Sequence, residues 1–174
     1  MFNHYVLVYE TVPVFENIWM ECLGDLGRYW MAIEDGNTED REAWRNVARD
    51  WYCKAANKTP HVGRLYHHLG VLAGSDLLQQ LFYYCKSLGM SQPFNPSWRS
   101  ILAAFDPINA DALAKQGQHV EASFVHLHSI AFTHVEFERF SAALDECLHL
   151  LVKDSSSPVW QVRALTHNYL PCSV

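Results

Sequence analysis

The chain has 174 residues, of which 49% are hydrophobic and 18% are charged; this favours one globular domain and excludes a disordered chain. Charged residues or histidines interrupt its apolar stretches well before the roughly 18 residues that a membrane-spanning helix requires. Thirteen Lys and Arg stand against 19 Asp and Glu, a net charge of −6. Nucleic-acid-binding domains usually carry a basic footprint instead, so a nucleic-acid role would need a local basic patch.

The N-terminal segment, Met1 to Glu10, has neither the basic region nor the small-residue cleavage site of a signal peptide. Cys172 has too few residues after it for a prenylation box. The five cysteines are odd in number and widely spaced, without a CxxC pair, which favours buried free thiols in a reducing compartment. We therefore expect an unanchored intracellular protein of the nucleus, the cytoplasm or both.

The first half of the chain predicts four helices in succession. The first runs from just after Pro13 to Ile33, and its apolar residues recur at spacings of three and four: Ile18, Cys22, Leu26, Tyr29 and Ile33. Thr38 is the predicted N-cap of the second helix, which stops before Pro60. The third is predicted over 61–73, and the fourth from a cap at Ser75 or Asp76 to Gly89.

Helical periodicity continues after the rigid break from Pro93 to Pro96. Further helices are predicted over 97–105, in an interrupted stretch over 111–132, over 136–152, and in a short segment after Pro158. Seven or eight helices joined by short turns predict an all-α fold built of helical hairpins.

An internal repeat sharpens this prediction. Small, aromatic and proline residues recur in the tetratricopeptide (TPR) order, in two halves that are in phase: Ala48, Tyr52, Ala55 and Pro60, then Tyr66, Leu69, Gly70 and Ala73. Small residues let paired helices approach closely, and proline ends a helix. We predict antiparallel TPR-like hairpins in a right-handed α-α superhelix; a non-repetitive helical bundle is the alternative.

Three segments of the chain resemble one family. Residues 63–73 (GRLYHHLGVLA), residues 77–88 (LLQQLFYYCKSL) followed by Pro93-Phe94, and residues 22–29 (CLGDLGRY) are similar to the telomerase-associated Est-one and nonsense-mediated-decay (SMG-type) adaptor family, nearest to its fungal members. The resemblance implies an Est-one-type DNA/RNA-binding domain with a TPR-like and 14-3-3-like core. We expect one domain over 1–174, with an extension over 1–13, the core over 14–105 and further packing helices over 106–174.

The same resemblance implies a phosphoserine pocket at Arg28 and Tyr29. A guanidinium offers a planar fork of donors to a phosphate, and a phenol adds one hydrogen bond. In the alternative, Arg28 pairs with Asp25 or Glu34 and Tyr29 simply packs. The pocket of such relatives also uses basic residues from a helix further toward the N-terminus, and we expect that helix to be missing here.

A second candidate surface for an anionic ligand is the stripe of Arg41, Arg45 and Arg49 on the second helix, extended by Arg64 and Lys86. Acidic residues share this helix, so an exposed face of ion pairs is the alternative. Four aromatic residues could stack on single-stranded bases, although their repeat positions favour packing: Trp44, Trp51, Tyr83 and Tyr84.

The sequence favours no enzyme. It contains no Gly-rich phosphate loop, GxSxG or HExxH motif, and its ten histidines are not spaced as metal ligands. We expect no metal and no cofactor. The preferred function is a non-catalytic adaptor module that binds a protein segment or peptide, RNA or single-stranded DNA in telomere maintenance or mRNA decay. The alternative is a truncated paralogue without a ligand site, which self-associates through the surface that the missing helices would cover.

Overall fold

A computed structural model describes residues 15–155, apart from the side chains of residues 107, 154 and 155. These residues are helical except for connecting turns and one isolated bridge between Val62 and Gln92. The elements are α1 (Glu16–Ile33), α2 (Thr38–Lys58), α3 (Gly63–Leu72), α4 (Leu77–Gly89), α5 (Ser97–Ala104), α6 (Pro107–Lys115), α7 (His119–Thr133), a 3-10 turn (Phe137–Arg139) and α8 (Phe140–Ser155). Helices adjacent in the chain pack in pairs, which confirms the all-α, TPR-like fold.

Capping side chains explain where the predicted helix starts were right and where they were wrong. Asp76 caps α4 by accepting from the Gln79 amide, as predicted. Asn37, rather than Thr38, caps α2, because its side chain accepts from the Glu39 amide. Asp106 accepts from the Ile108 amide and Pro107 begins the helix, so α6 starts four residues before the predicted position 111.

The helix predicted over 136–152, by contrast, starts four residues later than expected, at Phe140. Glu136 has a left-handed backbone with a φ of 55°, and a 3-10 turn separates it from α8. The extension over 1–13 and the short helix after Pro158 lie outside the described residues.

The apolar face that the sequence indicated on α1 is not its buried face. Ile18, Tyr29 and Ile33 are 57%, 61% and 63% exposed. The residues of α1 that are buried lie on another side of the helix: Met20, Leu23, Gly24, Gly27 and Met31. The two glycines explain the difference, since they let α2 approach closely enough for its side chains to fill the space that a Cβ atom would occupy.

Glycines let the helices approach closely in both the α1–α2 and the α3–α4 hairpin. A Cβ atom on Gly24 would lie 2.7 Å from the Tyr52 ring, and one on Gly27 would lie 3.0 Å from Ala48 Cβ. In the second hairpin, a Cβ atom on Gly70 would lie 2.5 Å from the Tyr84 ring. Ala48, Tyr52 and Ala55 are buried, as the repeat pattern predicted.

The chain divides into two compact units, whose described residues are 15–98 and 99–155. In the first unit, the start of α5 is anchored by the buried Ser97 hydroxyl, 2.8 Å from that of Ser87. In the second unit, α7 and α8 share a small apolar core: Leu127, Ile130, Ala143 and Cys147. The expectation of a single domain over 1–174 stays a prediction.

The prediction of buried free thiols is confirmed for Cys147; Cys22 and Cys85 are also free, but Cys22 is half-buried and Cys85 is exposed. It is wrong for Cys53, which is bonded in a disulfide. Among the described helices, none is long and apolar enough to cross a membrane.

Candidate functional site on the first helical unit

Within the Gly-Asp…Arg-Tyr segment, Gly24, Asp25 and Arg28 lie on the α1 face that packs against α2. Asp25 and Arg28 are one helical turn apart, and Arg28 Nη2 donates to Asp25 Oδ1 over 3.3 Å. The same carboxylate oxygen accepts from the hydroxyl of the fully buried Tyr52 over 2.7 Å, and Arg28 Nε lies 3.4 Å from that hydroxyl. The structure therefore shows the pairing with Asp25 that the sequence left open.

Tyr29 does not pack as the alternative proposed. Its side chain is mostly exposed, and the guanidinium of Arg28 lies 5.2 Å from the centre of its ring. This distance is typical of a cation–π contact. A part-buried guanidinium and an exposed phenol therefore stand side by side on α1.

A second ion pair lies one turn earlier on α1. Glu21 accepts two hydrogen bonds from Arg64 of α3, at 2.8 Å from Nε and 2.9 Å from Nη2. This is the bidentate geometry in which arginine binds a carboxylate most strongly. Burial raises the pKa of Glu21, and the positive charge of Arg64 opposes that rise.

Two histidines of α3 complete the site. The His68 ring stacks on Tyr52 with 4.9 Å between ring centres, and burial lowers the pKa of His68 to about 4. His67 Nδ1 lies 3.0 Å from Ser97 Oγ, and burial together with the charge of Arg28 lowers the pKa of His67. Both rings are neutral at pH 7, so the positive charge of this site comes from Arg28 and Arg64 alone.

We call these residues the α1–α3 cluster: Glu21, Asp25, Arg28, Tyr52, Arg64, His67 and His68. The sequence pattern predicts Arg28 and Arg64 as ligand contacts on separate surfaces and places Tyr52 in the core. It does not indicate Glu21 as part of a site. One signal was available, because Glu21, Asp25 and Arg28 follow each other at spacings of four and three and so share one face of α1.

The three arginines of the stripe on α2 lie in different environments. Arg45 pairs with Glu42 over 2.7 Å, and its guanidinium lies against the turn after α3, where a Cβ atom on Gly74 would be 3.3 Å away. Arg41 and Arg49 are exposed. Within the stripe, Arg45 thus forms an ion pair of the kind that the alternative prediction described.

The two cations that were expected to extend the stripe have other neighbours. Arg64 belongs to the α1–α3 cluster, and Lys86 Nζ lies 4.3 Å from the centre of the Tyr66 ring. No contact among the described residues joins either of them to the stripe. A continuous surface of Arg41, Arg45, Arg49, Arg64 and Lys86 therefore stays a prediction.

The candidate stacking residues are largely used in packing. Tyr83 and Tyr84 are buried. Trp44 stacks on Trp30 with 5.7 Å between ring centres, and Lys54 lies 4.4 Å from the Trp51 ring. Within residues 15–155, no group of three His, Cys, Asp or Glu side chains is placed to hold a metal ion.

The fold and this site define a TPR-like helical domain with a charged cluster between neighbouring helices. The profile of the family described as Est1 DNA/RNA binding domain matches residues 48–163, more than half of the chain, and the chain belongs to this family. The resemblance that the sequence indicated is confirmed. Its assignment to fungal members stays a prediction. The match begins within α2, so it includes Arg64 and leaves out Arg28.

The chain is also similar to segments of three much longer proteins. It is 34% identical over 90 residues to telomerase-binding protein EST1A of Danio rerio, a match covering 50% of this chain and 5% of that protein. Over 86 residues it is 30% identical to nonsense-mediated mRNA decay factor SMG5 of Danio rerio, a match covering 48% of this chain and 7% of that protein. Over 109 residues it is 30% identical to nonsense-mediated mRNA decay factor SMG7-like of Arabidopsis thaliana, a match covering 62% of this chain and 12% of that protein.

These matches thus span between 5% and 12% of the length of the three relatives. No solved structure matches the chain significantly.

Proposed function

We propose that this chain is a non-catalytic adaptor module that binds a protein segment carrying a phosphate group, with Arg28 and Tyr29 as its contact residues. The observation that carries the proposal is the pairing of a guanidinium that is 28% exposed with the adjacent exposed phenol on α1. A phosphate accepts two hydrogen bonds from the guanidinium and one from the phenol hydroxyl. The names of the relatives supply the context, telomerase binding and mRNA decay.

Protein is favoured over nucleic acid as the ligand because most cations near the candidate surfaces already have anionic partners. Arg28, Arg45 and Arg64 each pair with a carboxylate, and the chain as a whole carries −6. A surface that follows a nucleic-acid backbone needs uncompensated positive charge.

Nucleic acid is a second candidate because the family description names DNA and RNA. The exposed Arg41 and Arg49 on α2 are the side chains that would contact its phosphates. This candidate predicts an affinity that falls steeply with salt, since each phosphate contact releases a counterion.

Self-association, the other function considered from the sequence, is supported by the exposed Ile18 and Ile33 of α1. Exposed apolar residues on one helix favour contact with a second copy of the chain. Self-association is compatible with ligand binding, and a measurement of the oligomeric state tests self-association separately.

The binding proposal is tested by fluorescence anisotropy with a degenerate phosphoserine peptide pool, the same pool without phosphate, single-stranded RNA and single-stranded DNA. We expect the phosphorylated pool to bind and Arg28→Ala to weaken that binding about tenfold or more, because hydrogen bonds to charged groups are worth about 1.5–3 kcal/mol. Arg49→Ala is the matched control and leaves peptide affinity unchanged.

Two results would contradict the proposal. One is equal binding of the phosphorylated and plain pools by the wild-type chain. The other is binding of RNA or DNA only, with loss of affinity when Arg41, Arg45 and Arg49 are neutralised together, which would establish the nucleic-acid candidate instead.

A further inference from the structure

Trp30 provides an exposed aromatic surface near the end of α1. It is 41% exposed, and its ring stacks on that of Trp44 of α2 with 5.7 Å between ring centres and 22° between ring planes. Ile33, which is 63% exposed, lies one turn further along the same side of α1. Since Trp44 covers one face of the Trp30 ring, the other face is open to a ligand.

Neighbouring rings of the first unit are covered by cations of the chain itself. The guanidinium of Arg28 lies over the Tyr29 ring, and the ammonium of Lys54 lies over the Trp51 ring. Within residues 15–155, no cation lies over the ring of Trp30. Its open face is therefore available to a cation from another molecule.

Two carboxylates follow Trp30 at a helix end that does not favour them. Glu34 and Asp35 come directly after α1, and the Glu34 amide donates to the Trp30 carbonyl over 3.1 Å, so Glu34 continues the turn on the Trp30 side. A helix C-terminus favours cations, yet the last turn of α1 has no basic residue. Within the described part of the chain, neither carboxylate has a hydrogen bond or an ion pair.

The start of α2 does not neutralise this negative charge. Its first turn contains Glu39 and Asp40, and Asp40 accepts a hydrogen bond from Asn37 over 3.0 Å. Arg41 brings one positive charge, so residues 34–41 contain four carboxylates and one guanidinium. The exposed Trp30 ring thus lies beside a turn with excess negative charge.

We propose that this surface binds an arginine side chain from a basic segment of a partner protein, and we call it the Trp30 patch: Trp30, Ile33, Glu34, Asp35 and Trp44. A guanidinium stacks flat on an indole ring while its N–H groups donate to carboxylates at the edge of that ring. The aliphatic part of the arginine packs on Ile33. Lysine fits less well, because its ammonium is more strongly hydrated and is not planar.

Fluorescence anisotropy with three labelled Gly-Ser peptides tests this proposal; each peptide carries arginine, lysine or the neutral arginine analogue citrulline at the same three positions. Affinities are measured for the wild-type chain, Trp30→Leu and the double variant Glu34→Gln with Asp35→Asn. The matched control is Asp145→Asn with Glu146→Gln, which removes the same charge from two adjacent exposed positions of α8.

We expect the wild-type chain to bind the arginine peptide most tightly. Trp30→Leu should weaken that binding about two- to fivefold, the range of an exposed cation–π contact, and should reduce the preference for arginine over lysine. Loss of the two carboxylates should weaken binding of the arginine and lysine peptides about two- to tenfold and reduce the dependence of affinity on salt. The control variant should bind as the wild type does.

Three results would overturn the inference: equal binding of the arginine and citrulline peptides, unchanged binding by Trp30→Leu, or an equal loss in the control variant. If Trp30→Leu reduces the mass in light scattering but leaves peptide binding unchanged, a second copy of the chain covers the patch instead. Should Trp30→Leu unfold, as judged by circular dichroism, the carboxylate variant and its control decide the outcome. The patch shares no residue with the proposed phosphate contacts, so either proposal can fail without the other.

Discussion

At the scale of single residues, Tyr52 connects the apolar core of the first unit to its charged cluster. Its ring fills the space above Gly24 and stacks on His68, while its hydroxyl donates to Asp25. Burial, together with the hydrogen bond to Asp25, raises the pKa of Tyr52, so its hydroxyl remains a donor. One buried side chain therefore orients both a carboxylate and an imidazole of the candidate site.

The stacked imidazole makes stability depend on pH. The pKa of His68 in the folded chain is about 4, below the 6.5 of an exposed histidine, so the unfolded chain binds the proton more tightly. The stability that comes from keeping His68 neutral is complete above pH 6.5 and is lost as pH falls toward 4. We expect a loss of about 1 kcal/mol in unfolding free energy between about pH 7.5 and about pH 5.5.

Chemical denaturation at both pH values, for the wild-type chain and His68→Phe, measures this loss. Phenylalanine keeps the stack on Tyr52 but does not titrate, so its unfolding free energy should depend less on pH. His61→Phe, at an exposed position, is the control and should match the wild type. An equal pH dependence in the wild type and His68→Phe would show that His68 is not buried as a neutral ring.

At the scale of helices, the hairpins are defined by where glycine permits contact. Gly24 and Gly27 turn one face of α1 toward α2, and Gly70 admits the Tyr84 ring between α3 and α4. Larger apolar residues of α1, such as Ile18 and Ile33, are left exposed as a result. Helix spacing in these hairpins thus depends on small residues more than on the size of the apolar face.

Gly70→Ala tests this dependence. A Cβ atom there would lie 2.5 Å from a Tyr84 ring carbon inside a packed interface, so the ring or the helix must move. Overpacking of this kind costs about 1–3 kcal/mol, and the higher helix propensity of alanine recovers up to about 1 kcal/mol. We expect a net destabilisation of about 1–2 kcal/mol, measured as a lower urea midpoint.

The matched control is Gly89→Ala in the last turn of α4. No neighbouring atom lies within 4 Å of a Cβ atom at that position, so alanine should be neutral or slightly stabilising. Equal urea midpoints for Gly70→Ala and Gly89→Ala would mean that the α3–α4 interface yields easily to an added methyl group.

At the scale of the whole molecule, negative charge and exposed apolar residues act on association in opposite directions. A net charge of −6 opposes contact between copies. Exposed side chains such as Ile18 and Ile33 favour it, and burial of apolar surface is the larger effect at physiological salt, where charges are screened.

We therefore expect the chain to self-associate at micromolar concentration, with a mass above that of the monomer in light scattering. Replacing Ile18 and Ile33 of α1 together by lysine should restore the monomer. The matched control replaces Ile108 and Val135 by lysine, two apolar residues of the second unit that are at least as exposed, and should leave the mass unchanged. A wild-type chain that is monomeric at these concentrations would refute self-association.

The sequence by itself determined the helical fold, most helix ends and the family, because these depend on local signals. Capping residues such as Asp76 act within one turn, and the alanines and aromatics of α2 recur at the helical period. It also singled out Arg28, through a short motif. It did not determine which residues would meet Arg28, or which face of α1 would be buried.

Only the tertiary structure decided those points, because they depend on contacts between residues distant in the chain. Arg64 lies 43 residues from the carboxylate that it binds, and Tyr52 lies 27 residues from Asp25. Helical periodicity determines which side chains share a face of a helix, but the partner helix determines which face is buried. Here the smallest residues of α1 allowed α2 the closest approach, and that packing brought Tyr52 against Asp25 and Arg28.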